Sequence, residues 1–143
     1  MTLGTPHYWL LKSEPSTWSW EDQKREGVTS WDGVRNAQAT HNLKKMSVGD
    51  LAFFYHSGKE KKIVGIVRII KPYFQDPSDQ QGRFGMVDVA FQEELPHSLT
   101  LKQIKKDPRF HHLALVRQSR LSVMPIDPSS WILLNHLAQQ EEV

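Results

Sequence analysis

Apolar positions along this chain fall into two regimes: short runs apolar at nearly every position, and stretches where only every second, or every third to fourth, residue is apolar. Tyr8-Trp9-Leu10-Leu11 is of the first kind and reads as a short buried strand, closed by the polar turn Lys12-Ser13-Glu14-Pro15, because a proline drives its predecessor away from helix. Ser19 then starts a short helix, with Asp22 in its first turn and Gly27 at its end. Ser30-Trp31-Asp32-Gly33 predicts a brief strand and turn. Ala39, Leu43 and Met46 follow at i, i+4, i+7 as one helix face, with Asn36 at the start of that helix. The aromatic strand 51–56 and the longer apolar strand Ile63 to Ile70 must be covered on both sides. The charged hairpin loop 57–62 joins them, and its Lys59, Lys61 and Lys62 read as solubilising.

Beyond the loop around Asp76-Pro77-Ser78-Asp79, the segment Met86 to Gln92 alternates as a half-exposed strand does. Thr100 can cap a short helix carrying Leu101 and Ile104, which stops near Asp107-Pro108, and Arg120 to Met124 predicts another strand. Asp127 before Pro128 starts a final helix that buries Trp131, Leu134 and Leu137. Five or so strands interleaved with short helices, without regular βα alternation, predict an α+β domain built on a small mixed β-barrel.

Composition narrows the function classes. At 143 residues, 38% apolar and 24% charged, the chain is expected to form one domain over 1–143, and no apolar run approaches the ~20 residues of a membrane span. The start, Met1 to His7, lacks the basic and long apolar regions of an export signal, so a cytoplasmic location is expected, or a nuclear one in a cell that has a nucleus. With no cysteine there is neither disulfide nor thiolate chemistry. The seven histidines make no metal-binding pattern, and adjacent His111 and His112 would point apart, so neither metal nor cofactor is expected. Dinucleotide, P-loop and nucleophile-elbow motifs are absent, and a Ser-His-Asp triad is a geometry that sequence does not display. A net charge of +2 permits attraction to phosphates without implying it. More informative is tryptophan: four of the five, Trp9, Trp18, Trp20 and Trp31, fall within the first 31 residues.

Two blocks among these residues carry a resemblance. Tyr8 to Pro15 is similar to the opening of an EVE domain, and Trp31-Asp32-Gly33-Val34-Arg35-Asn36, followed by Ala39, resembles that family's most distinctive motif. Further matches run in order through Gly49 to Ser57, Val64-Gly65-Ile66, Tyr73 with Asp76-Pro77, Val87-Asp88-Val89, and Leu115 to Val123, covering about residues 8–137. Ala37 and Thr40 depart from the aromatic and arginine often found in the second block. The resemblance implies a PUA-like fold, related to YTH and ASCH domains, that binds nucleic acid, DNA or RNA, carrying a modified base.

Such a reader needs an aromatic plate, polar groups for the base edge, and cations for flanking phosphates. Trp31 is the candidate plate, or else a core tryptophan; Asn36 pairs with a base edge or caps its helix. Ser13, Glu14, His56 and Ser57 end predicted strands, where side chains converge at a barrel mouth, although Glu14 also suits a solvated turn and His56 a satisfied buried imidazole. Pro15, Gly33 and Val34 complete the expected rim, and Leu121 and Ser122 line its floor or belong to the core. Lys12, Arg35, Arg117 and Arg120 are the expected phosphate contacts. Two other classes stay open: a small hydrolase acting on a nucleotide-like ligand in the same pocket, and a protein-interaction domain.

Overall fold

The computed structural model describes residues 6–77 and 79–140. In chain order the elements are β1 (Tyr8–Ser13), α1 (Trp20–Glu26), β2 (Val28–Trp31), α2 (Ala37–Lys44), β3 (Leu51–His56), β4 (Lys62–Gln75), β5 (Gly85–Thr100), α3 (Leu101–Lys106), α4 (Ala114–Arg117), β6 (Val123–Ile126) and α5 (Pro128–Gln139). Among the described residues the strands form one mixed sheet ordered β2-β5-β4-β3-β1-β6. β1 runs parallel to β3, with Ser13 beside His56, and the other pairings are antiparallel. The hydrogen-bonded ladder does not close, so the barrel character rests on curvature. Four register shifts between β4 and β5 supply it, since each bulge bends and twists its strand.

The helix starts follow from local chemistry. Ser19 and Asp22 form a reciprocal capping box on α1, Thr100 and Gln103 form another on α3, and Asp127 caps α5 with Pro128 in its first turn. Four boundaries differ from expectation. β4 continues past Ile70 to Gln75, with Pro72 tolerated inside an irregular stretch of pairing, and β5 continues past Gln92 to Thr100. The last strand begins at Val123 rather than Arg120, because a Leu121 N–H to Gln118 carbonyl bond closes a turn first. Met46, buried, lies just beyond α2 rather than on it.

β3 shows why strands apolar on both faces need two covers. Phe53 stacks on Trp131 of α5 with ring centroids 4.0 Å apart, and Trp131 in turn stacks on Tyr8 at 4.5 Å. On the other face Phe54 meets Trp31 edge-on at 5.4 Å and Trp20 at 5.1 Å. The Trp20 ring lies directly on Gly65, where any Cβ would overlap it, so β4 needs glycine there. Asp50, 3% exposed, ties the far end of β1 to the turn before β3, accepting from Trp9 Nε1 (2.9 Å), His7 N (3.1 Å) and Ser47 N (2.9 Å).

Candidate functional site

β1 and β2 stand four places apart in the strand order, and the curl of the sheet brings the end of β1 and the end of β2 to the same cleft. Between them lies a cleft of about 440 Å³, within the ~300–1,000 Å³ of small-ligand sites. Lys12, Ser13 and Glu14 form one wall, Thr29 to Asp32 the other, and Thr17 with Trp18 the rim. The rim is fixed locally: the Glu14 carbonyl accepts from both Thr17 N and Trp18 N at 2.9 Å.

Trp18 is held at both ends. Its carbonyl accepts from Ser13 Oγ at 2.5 Å, and its indole Nε1 donates at 2.9 Å to Gln23 Oε1. Gln23 is fully buried and anchored through Nε2 to the Gly27 carbonyl at 3.1 Å, so α1 orients the ring from beneath. Trp18 nevertheless remains partly open. Trp31 also lines the cleft but is only 7% exposed. The two tryptophans thus differ in kind, one a partly open ring and the other a buried wall.

Ser13 and Ser30 have their hydroxyls engaged, the latter donating to Asp88 Oδ1 at 2.6 Å. The carboxylates of Glu14 and Asp32 are exposed and accept no hydrogen bond from another described residue. Both residues belong to the cleft lining, on opposite walls, and the Glu14 carboxylate also lies against Gly58 of the β3–β4 loop. The Lys12 ammonium donates to the Ser119 carbonyl at 3.0 Å and sits 5.5 Å from the Tyr55 ring centroid. Burial lowers its pKa from the ordinary 10.5 and pushes the Tyr55 hydroxyl up to about 12.

The remaining expected residues lie around this cleft rather than in its lining. Pro15 belongs to the same turn, partly buried. Val34 is 8% exposed and packs in the core, and Asn36 spends its side-chain oxygen on the cap of α2, accepting from Ala39 N at 2.9 Å. Gly33 N and Arg35 Nη1 approach Asp76 Oδ2 at 3.5 and 3.4 Å, and the Arg35 guanidinium lies 5.0 Å from the Phe84 ring, so this part of the block packs on the β4–β5 loop. His56 Nε2 accepts from Trp20 N at 2.9 Å, which leaves Nδ1 to donate to Glu60 Oε1 at 3.0 Å; its ring borders a separate depression with Trp20 and Glu60. That bond, the largest of several influences, lowers the Glu60 pKa from its ordinary 4.5. Ser57 touches the site only through its N–H to the Ser13 carbonyl, 2.9 Å. Leu121 is core, and the Ser122 carbonyl accepts from Lys12 N at 2.9 Å. Arg117 and Arg120 are exposed, flanking the Ser119 carbonyl that holds Lys12.

Sequence reasoning missed Thr17, Trp18, Thr29 and Ser30 as lining residues. Trp18 carried a signal: a large aromatic in a polar turn, placed before the Ser19 cap and not on α1. One Ser-His-Asp grouping exists, but Asp127 Oδ1 (2.7 Å) and Ser130 Oγ (3.1 Å) contact the same His112 Nε2, which is the environment of the α5 cap and not a relay geometry.

The fold and cleft define a class: a small α+β domain with a curved mixed sheet and an aromatic-rimmed cleft at its strand ends. The chain belongs to the EVE family, whose domain matches residues 7–137. It is 31% identical over 168 aligned positions to human thymocyte nuclear protein 1, with 94% of this chain and 75% of that protein covered. An NMR structure of a Rhodopseudomonas palustris protein matches with a TM-score of 0.89 at 42% identity, over 96% of each chain. The crystal structure of human thymocyte nuclear protein 1 in complex with DNA containing 5-methylcytosine matches with a TM-score of 0.88 at 30% identity, over 95% of this chain and 99% of that one. An ASCH protein from Zymomonas mobilis, TM-score 0.57 at 10% identity over 92% and 95% of the two chains, shares the fold alone. Among the described residues no helix is long and apolar enough to cross a membrane.

Proposed function

We propose that this chain, acting as one EVE unit, recognises a modified base in nucleic acid by taking it out of its strand into the cleft between β1 and β2, without turning it over. 5-Methylcytosine in DNA is the first candidate, by analogy with the DNA in the human relative's complex. The observation that carries this is the meeting, in one cleft of base size, of the partly open Trp18 ring with the unbonded carboxylates of Glu14 and Asp32. Stacking on Trp18 returns ~1–3 kcal/mol, comparable to the few kcal/mol that extrusion of a base costs. A carboxylate accepts from the N4 amino group of cytosine, and Trp31 offers an apolar wall to a ring substituent. Lys12 stands at the entrance as a fixed cation for a flanking phosphate.

The test is a fluorescence-anisotropy screen of oligonucleotides of one length carrying cytosine, 5-methylcytosine, adenine or N6-methyladenine, in DNA and RNA, at two salt concentrations. Binding that weakens with salt and rises with one modification supports the proposal. Equal binding to all of them, or hydrolysis of a free nucleotide, contradicts it.

A further inference from the structure

A strongly basic concavity lies outside the cleft, between the β3–β4 hairpin loop and α3. Lys59, Lys61, Lys102, Lys105 and Lys106 line it against a single carboxylate, Glu60. That carboxylate is already engaged by His56 Nδ1 at 3.0 Å and Lys62 Nζ at 3.5 Å. The whole chain carries a formal charge of only +2, so the residues outside this depression sum to a net negative charge.

Its construction is specific. Lys102, Lys105 and Lys106 stand at i, i+3, i+4 and therefore share one face of α3. Lys61 is the only non-glycine described with a left-handed backbone, φ +48°, a conformation that L side chains other than asparagine and aspartate rarely adopt. Its carbonyl accepts from Leu101 N at 2.8 Å, which clamps the loop to the first residue of α3. This bond holds two lysine-bearing segments face to face, and the surrounding structure bears the strain at Lys61.

The depression also connects to the cleft. The Glu14 carboxylate, on the cleft wall, lies over Gly58, where an added Cβ would fall 2.5 Å from Glu14 Oε2. The Ser57 N–H binds the Ser13 carbonyl. The chain therefore passes from the cleft wall, through Gly58, to Lys59 and Lys61.

We propose that this lysine-lined depression is a phosphate-backbone track, which holds the nucleic-acid strand continuing from the nucleotide seated in the cleft. It rests on the function proposed above for the direction of the strand, but its own chemistry is recognition of a polyanion spaced as phosphates are. Ammonium groups on flexible stems suit sequence-independent phosphate contacts, and the cleft supplies selectivity.

The test compares wild type with K59Q/K102Q/K105Q/K106Q, with the charge-keeping K102R/K105R/K106R, and with a control, K44Q/K45Q, remote from the track. Each is titrated with a fluorescein-labelled oligonucleotide holding one 5-methylcytosine, and with its unmodified counterpart, over a salt series. The glutamine variant should lose affinity for both oligonucleotides by the same factor, with the slope of log K against log salt shallower by about 3. Arginine should restore both quantities and the control should match wild type. Equal affinity of wild type for the two oligonucleotides, with the slope still falling in the glutamine variant, would remove the base-reading function and leave the track standing. An unchanged slope, failure of arginine to restore it, or binding only to phosphatidylserine vesicles and not to oligonucleotides, would overturn the track.

Discussion

Replacing Trp18 and Trp31 in turn separates stacking from packing. Trp31, 7% exposed and edge-on to Phe54, should cost ~3–5 kcal/mol of stability when cut to alanine, from lost burial and the cavity left under β3. At ~2–4 °C per kcal/mol for a chain of about this size, its melting temperature should fall by ~6–20 °C. Trp18→Ala removes a partly open ring, so the packing loss is smaller. It also leaves the buried Gln23 Oε1 without its indole donor, which costs ~1–3 kcal/mol. Its larger effect should fall on binding: loss of ~1–3 kcal/mol of stacking weakens affinity about ten- to a hundredfold. Trp18→Phe keeps a stacking face and most of the packing but loses the bond to Gln23, so it should melt between Trp18→Ala and wild type yet bind much closer to wild type. Thermal melting and titration of a 5-methylcytosine oligonucleotide, done well below every midpoint, read the two effects separately. Wild-type affinity in Trp18→Ala, with affinity lost in a still-folded Trp31→Ala, would refute this division and make Trp31 the plate.

Three other outcomes follow from the geometry. Gly58→Ala places a Cβ against the Glu14 carboxylate at φ +74°, so it should lower stability by ~1–2 kcal/mol in chemical denaturation and weaken oligonucleotide binding, whereas an exposed substitution such as Gln38→Ala should do neither. Asp50→Ala deprives Trp9 Nε1, His7 N and Ser47 N of their acceptor and should cost ~3 kcal/mol or more by the same measurement, with Asp50→Asn recovering part of it. The folded-state pKa of Glu60 lies below its ordinary 4.5, so its contribution is complete above that value and is lost as pH falls through the lowered one. Glu60→Gln should therefore flatten the stability–pH curve below about pH 4.5; because the side chain is 40% exposed the change should be small, and an unaltered curve would contradict the assignment.

Much of the fold was legible because its determinants are local. Ser19 with Asp22, Thr100, and Asp127 with Pro128 are capping signals spaced within one helical turn, and the structure uses each of them. The double-sided apolar run of β3 announced that it would be covered twice, although nothing local said that Trp131 and Trp20 would be the covers. The ends of β4 and β5 were hidden because their outer halves pair with each other irregularly and carry polar residues and prolines, so periodicity fades where pairing continues. Lys12, Ser13, Glu14 and Trp31 were placed at the cleft from strand ends and resemblance, and the structure brings these together. Asn36 and His56 illustrate the limit: Asn36, nominated for a base edge, spends its side-chain oxygen on a helix cap, and His56, nominated by its place at a strand end, spends Nε2 on the Trp20 amide. Trp18 escaped notice because its role depends on a Gln23 side chain reaching back from α1, a contact that no spacing rule encodes.

The central claim, that a modified base enters the cleft between β1 and β2, is tested most directly by the tryptophan indole N–H signals in a ¹H–¹⁵N NMR titration. The chain has five tryptophans, and they sample different regions: Trp18 and Trp31 in the cleft, Trp20 beneath β4, and Trp9 and Trp131 toward the opposite end of β1. Adding an oligonucleotide with a single 5-methylcytosine should shift the Trp18 and Trp31 signals, and the unmodified oligonucleotide should shift them less at the same concentration, while Trp9 and Trp131 stay in place. Shifts confined to Trp9 and Trp131, or identical responses of Trp18 and Trp31 to the two oligonucleotides, would contradict the account.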